Sequence, residues 1–155
     1  MILSYIIMAK FVEMDRKVTF KDQIEEKIDG QVILINKFNV KPDKVEQFLK
    51  DWAEDASRFK QQPGFISTQL HKGIGKSSVF INYAVWESIE QYKEAINKLV
   101  FSSETQSGLL KYDDDSLVIS PHLFKKLLLL EYVNISTRNF SFEFYQSELI
   151  ARLGI

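Results

Sequence analysis

Apolar residues recur with a period of two in some stretches of this chain and at helical spacing in others. Gln31 to Val40 reads as a strand, with Val32, Leu34, Asn36, Phe38 and Val40 on one face and Ile33, Ile35, Lys37 and Asn39 on the other. Both faces begin apolar, so both are expected to be covered, and Asn36 is the polar exception on its face. Lys41-Pro42-Asp43 opens a helix: Pro42 suits the first turn, and Asp43 and Glu46 suit the positive end of the dipole. Val45, Phe48, Leu49, Trp52, Ala56 and Phe59 form its predicted buried stripe, and Gln62-Pro63-Gly64 ends it. Phe65 to Lys72 and Ser77 to Trp86 read as strands joined by a hairpin turn at Gly73-Ile74-Gly75-Lys76. Ser88 to Phe101 is the second long helix, with Ile89, Tyr92, Ile96, Leu99 and Val100 facing inward. A last strand is predicted over Leu123 to Val133, led in by Ser120-Pro121-His122, with the run Leu127 to Leu130 buried on both faces. Upstream, Thr19 to Lys27 reads as a short helix capped by Thr19, with Phe20, Ile24 and Ile28 on one stripe, ended by Asp29-Gly30. Downstream, Phe140, Phe142 and Phe144 alternate like a short strand, and Gln146 to Leu153 reads as a final helix.

The central order is strand, helix, strand, strand, helix, strand. That is the ferredoxin-like βαββαβ arrangement of an α+β protein, with an antiparallel sheet and both helices on one face. It places a domain at residues 31–133, with extensions at 1–30 and 134–155. The sheet face without helices is also apolar in the first and third strands. A homodimer joined sheet to sheet is the simplest cover, since buried apolar area is worth about 25 cal/mol per Å².

Composition narrows the chemistry. The chain has 155 residues, 45% hydrophobic and 26% charged, which supports one domain with a real core. A net charge of −1 gives no electrostatic argument for nucleic acid or a membrane as partner. The absence of cysteine removes disulfides, thiolate catalysis and cysteine-ligated metal centres. His71 and His122 are the only histidines, and the glycine turn at Gly73 lacks the spacing of a phosphate loop. Asp113-Asp114-Asp115 lacks the interval and glycine of a calcium loop and reads as a solvated charge run. No flavin, haem or metal cofactor is therefore expected. Met1 to Met8 is apolar but too short to span a bilayer and lacks a signal-peptide layout, while Met8 offers a second start. The chain reads as cytoplasmic.

The candidate chemistry gathers where the third strand meets the second helix. Asn82 and Trp86 are an even number apart on a strand and so share a face. Ser88 and Gln91 have capping-box spacing, and Tyr92 follows one turn later. A carboxamide, an indole N–H and a phenol are thereby aimed at one cavity. Asn36 and Phe38, two residues apart on the first strand, and His71 on the second strand are candidates for holding a small aromatic substrate.

Three stretches, Leu34-Ile35-Asn36-Lys37-Phe38, Gln62-Pro63-Gly64-Phe65-Ile66-Ser67-Thr68 and Asn82-Tyr83-Ala84-Val85-Trp86-Glu87-Ser88, resemble the antibiotic biosynthesis monooxygenase family of dimeric α+β-barrel proteins. The resemblance covers about residues 31 to 130. It implies that Asn82, Trp86 and Tyr92 match the asparagine, tryptophan and tyrosine of the quinone-forming members. Those members oxidise a phenolic polyketide with O2 and use no flavin, haem or metal. The fold also serves haem-degrading enzymes, whose first-strand asparagine matches Asn36. Their helix tryptophan falls at about Ala95 and their haem-ligating histidine near Thr105, so the resemblance argues against haem degradation. The arginine of the quinone-forming members falls at about Gln106, where this chain departs from their pattern.

Two functions follow. One is a cofactor-independent monooxygenase acting on a small phenolic or quinol substrate, with Asn82 and the Trp86 N–H as donors to a developing oxyanion and Tyr92 orienting an oxygen or returning a proton. Neither Asn nor Trp is a base at neutral pH, which leaves His71, a water or an already acidic substrate to account for the proton. The other is a non-catalytic dimer that binds a small hydrophobic molecule. Beside both stands the plain structural reading: Trp86 as core with its N–H on a carbonyl, and Asn82 satisfying a neighbouring backbone group.

Overall fold

The computed structural model describes residues 9–102, 107–113 and 115–127. Over these the chain forms β1 (Lys10–Phe11), α1 (Phe20–Glu25), β2 (Val32–Val40), α2 (Val45–Phe59), β3 (Phe65–Lys72), β4 (Val79–Trp86), α3 (Ile89–Ile96) and β5 (Leu117–Lys125). A π-helical turn, Asn97–Phe101, continues α3, and a short 3-10 helix, Gly108–Lys111, precedes β5. The strands make one sheet in the order β1-β5-β2-β4-β3. The architecture is α+β and ferredoxin-like, as the pattern predicts. The sheet is antiparallel except where β1 lies parallel to β5, pairing Lys10 with Val118 and Phe11 with Ile119. Among the described residues, no helix is long and apolar enough to cross a membrane.

β2 lies between β4 and β5, and its register sets the layers of the core. Phe38 is opposite Phe80 and Ile119, Asn36 is opposite Asn82 and Pro121, and Leu34 is opposite Ala84 and Leu123. All of these point to the helix side of the sheet. The apolar levels on either side of the Asn36–Asn82 row form two separate clusters. One is built on Phe38, Phe48, Phe80 and Leu117, the other on Val32, Trp86, Ile89 and Tyr92. A polar row thus crosses the middle of the buried face.

The structure corrects several details. The last strand runs from Leu117 to Lys125, six residues earlier than predicted, because β2 needs a partner along its whole length from Val32 to Val40. Pro121 sits inside this strand. Leu123 turns its N–H away from β2, onto Gln23, and strand residues two apart repeat, so Pro121 places its missing N–H on the same side, beyond the end of β1. Leu127 lies past the strand and is 77% exposed; residues 128–155, with the predicted Phe140–Phe144 strand and final helix, lie outside the described residues. Helix α1 is shorter than predicted and omits Ile28. Thr19 and Asp22 form a complete capping box, but Glu26 is already extended. On α2, Leu49 is exposed, whereas Asp55 is buried.

Among the described residues, the outer edge of β5 has no strand partner beyond Ile119. Gln23 covers it from α1: its Oε1 accepts from the Leu123 N–H at 2.9 Å and its Nε2 donates to the Leu123 carbonyl at 2.9 Å. One side-chain amide replaces the two backbone groups that a neighbouring strand would supply, which blunts an edge open to pairing with other chains. Gln23→Ala should cost about 1–3 kcal/mol, roughly 2–4 °C in Tm per kcal/mol for a chain of this size. It should also speed hydrogen exchange at the Leu123 amide. Unchanged Tm and slow exchange would show that the edge is covered by something else.

Candidate functional site

The junction between β4 and α3 is fixed from both sides. Ser88 is extended at the N-cap and its hydroxyl accepts from the Gln91 N–H at 3.2 Å. The Gln91 side chain meets the Ser88 hydroxyl at 3.3 Å instead of the Ser88 amide, so the predicted box is half made. Gln91 also packs on Gly64, which has φ +79°, a conformation that favours glycine, and a Cβ there would run into the Gln91 side chain. The Glu87 N–H donates to the Gly64 carbonyl at 2.8 Å. The Gln62-Pro63-Gly64 turn and the helix cap thus clamp the segment carrying Trp86, and α3 brings Tyr92 to it with ring centroids 5.4 Å apart.

Between the helices and the polar row of the sheet lies a cavity of about 130 Å³. Asn36, Phe38, Asn82, Trp86 and Tyr92 all line it, with Thr68 from β3 and Phe11 and Phe20 from the N-terminal stretch. His71 does not: it pairs with Ile81 on the opposite face of the sheet and is exposed. Ala95 is buried in the Trp86 cluster, and Thr105 and Gln106 lie outside the described residues. Among the described residues, no three His, Cys, Asp or Glu side chains are grouped to hold a metal ion.

The polar atoms of the cavity are unevenly satisfied. The Thr68 hydroxyl donates to Asn82 Oδ1 at 2.5 Å, which orients the carboxamide and leaves its N–H groups for the cavity. Trp86 is 1% exposed, and its Nε1 has no hydrogen-bond partner among the described residues. A buried donor left unmade costs about 1–3 kcal/mol, and no carbonyl takes this one. Burial pushes the Tyr92 phenol above its ordinary range, so it stays protonated.

Sequence reasoning passed over Asp55. It is 5% exposed, lines the cavity, pairs with Arg58 and accepts from the Ser107 hydroxyl. The available signal was its spacing: Phe48, Trp52, Asp55 and Phe59 are four, three and four apart, which puts a carboxylate on the buried stripe.

The family model for antibiotic biosynthesis monooxygenases matches residues 31–98. Among solved structures, a candidate monooxygenase from Shewanella loihica PV-4 is 27% identical with a TM-score of 0.51, over 66% of this chain and 100% of that one. A candidate antibiotic biosynthesis monooxygenase from Bordetella bronchiseptica is 16% identical with a TM-score of 0.50, over 64% and 100%, a likeness of fold alone. SnoaB of Streptomyces nogalater, a cofactor-independent oxygenase, is 23% identical with a TM-score of 0.49, over 66% and 99%. No curated protein matches the chain.

The Tyr92 shift has a pH consequence. The unfolded phenol ionises near pH 10, whereas the buried one holds its proton to higher pH. Above about pH 10 the folded state therefore binds more protons than the unfolded state, and stability falls as pH rises. Chemical denaturation at several alkaline pH values should show this slope, and Tyr92→Phe should make it shallower. An identical slope in the variant would mean that Tyr92 ionises freely in the folded protein.

Proposed function

We propose that this cavity binds a small phenolic or quinol substrate and promotes its oxidation by O2 without a cofactor, as a monooxygenase. The observation that carries the reading is the buried Trp86 Nε1 without a partner, beside the Asn82 amide held by Thr68. The match of residues 31–98 to the antibiotic biosynthesis monooxygenases supports the reaction type. The volume, about 130 Å³, is near the roughly 150 Å³ that takes a benzene ring, which favours a single-ring substrate.

Ground-state O2 reacts poorly with closed-shell organic molecules, so the substrate must first be made electron-rich. Loss of a proton from a phenol or an activated ring carbon does this. Donors fixed in a water-poor cavity stabilise the resulting oxyanion more strongly than water does. Trp86 Nε1 and the Asn82 amide take that role in this reading. Asn36 and Phe38 hold the ring, and Tyr92, which keeps its proton, orients a substrate oxygen by donating a hydrogen bond to it. For a ring CH2 the reaction balances as conversion to C=O, with one oxygen atom of O2 entering the carbonyl and the other leaving as water with the two hydrogens.

The monooxygenase-like domain is taken as residues 31–133, with extensions 1–30 and 134–155. The described part of the first extension then serves the domain: Phe11 and Phe20 wall the cavity. We also infer a homodimer across the sheet face away from the helices, where Ile81, Tyr83 and Phe124 are exposed. Light scattering at micromolar concentration should give twice the chain mass of 18.1 kDa, and a monomer would overturn the dimer.

Trp86→Phe tests the site. It keeps most of the packing and removes one donor, so O2 uptake with a panel of quinols under metal-free conditions should fall about a hundredfold with a small change in Tm. Lower Tm with unchanged turnover would return Trp86 to the core. Tight binding of the same compounds without O2 uptake by the wild type would establish the non-catalytic binding protein instead.

A further inference from the structure

The cavity has oxyanion donors, but the residues read from the sequence provide no base within it. His71 is on the other face of the sheet, and His122 is engaged by Gln23 at the β5 edge, with Nε2 3.0 Å from the Gln23 amide nitrogen. Among the described residues that line the cavity, Asp55 and Tyr92 are the ionisable ones, and Tyr92 keeps its proton.

We propose that Asp55 is the proton acceptor of this cavity and takes the hydroxyl proton of a bound phenol. The inference deepens the monooxygenase reading and rests on it. Asp55 reaches the cavity because α2 turns its Phe48–Trp52–Asp55–Phe59 stripe to the sheet. A carboxylate so buried is costly unless paired. Here one oxygen takes the Arg58 guanidinium and the other the Ser107 hydroxyl. A carboxylate has about four lone-pair sites, so two remain for a substrate hydroxyl.

The step balances within the complex. The phenol O–H bond breaks, its electron pair stays on oxygen as phenolate, and the proton forms a new O–H bond on Asp55. The phenolate oxygen is then the anion that Trp86 Nε1 and the Asn82 amide stabilise. Arg58 is a positioning residue, holding the carboxylate from its solvent side, where it lines a separate polar groove with Asp51 and Tyr112. The structural alternative is that Asp55 only ties the Ser107–Lys111 segment to α2. Asp51 makes such a tie nearby, accepting from the Tyr112 hydroxyl at 2.6 Å, without lining the cavity.

The test uses para-nitrophenol, whose phenolate absorbs visibly, buffered below its own pKa and under nitrogen. Wild-type protein should bind it and convert it to phenolate. Asp55→Asn, which keeps the shape and a hydrogen bond to Ser107, should bind it as neutral phenol, and Asp55→Glu should restore the phenolate band. Phenolate in both wild type and Asp55→Asn would overturn the proposal, since the donors alone would then suffice. Neutral phenol in the wild type, or no binding, would overturn it without any variant, so a misfolded Asp55→Asn does not protect it. Because the titration needs no oxygen, failure of O2 uptake would remove the monooxygenase reading and leave this result standing. Where turnover is seen, Asp55→Asn should lower it by roughly 10²–10⁴-fold for a neutral phenol and far less for a substrate already ionised. Equal losses for the two would assign Asp55 a structural role.

Discussion

The register of β2 against its two neighbours is the constraint on which the rest of the molecule depends. It places Asn36 opposite Asn82 on one side and Pro121 on the other. On β2, β4 and β5 the buried residues at the other levels of the same face are Val32, Leu34, Phe38, Val40, Phe80, Ala84, Trp86, Leu117, Ile119 and Leu123. A slip of one residue would send the whole set to the other face. With the register held, the polar row cannot join either apolar cluster, and the helices rest on the levels above and below it. The cavity is the space left where the sheet presents amides and the helices present rings.

Much of this was legible because strands and helices advertise their faces. The alternation in β2 and β4 sorted their residues into two faces and set Asn36, and Asn82 with Trp86, on one of them, while the 3.6 period marked α2 and α3. The losses have specific causes. The β5 position was missed because Leu123 to Val133 is the more hydrophobic run, whereas pairing length and the direction of the Pro121 nitrogen decided the outcome. Asp55 was hidden by counting Leu49 into the α2 stripe, a shift of one position around the helix. His71 was chosen for its chemistry. Its face depends on the irregularity between Phe65 and Ser67, which shifts the β3 register in a way that composition does not announce.

The N-terminal stretch shows how a short segment can serve a sheet without extending it far. β1 covers only two residues of β5, and α1 covers the next part of the edge through a single glutamine. The same helix sends Phe20 against Tyr92, with centroids 6.4 Å apart, and Lys93 of α3 pairs with Glu25 at 2.5 Å. Both of those charged side chains are substantially exposed, so that pair adds little. Edge cover and cavity wall are thus the work of one six-residue helix, which ties access to the cavity to the integrity of β5.

The polar groups of the cavity are unequally explained by stability. A tryptophan chosen for packing alone would be expected to leave its N–H on a carbonyl, yet among the described residues Nε1 has none. A phenylalanine would avoid that desolvation cost of about 1–3 kcal/mol, while leaving a void whose cost is of the same order. At position 55 the carboxylate is buried with its partners, and removing it alone would leave the Arg58 guanidinium without its ion pair and the Ser107 hydroxyl without its acceptor, which is destabilising. Folding therefore gives little reason to keep the Trp86 indole, whereas Asp55 also ties α2 to Ser107. Both residues line one cavity from different elements, Trp86 from the sheet side and Asp55 from the helix side. Where a buried donor is left unmade beside such a space, the compensation is expected in what the space binds.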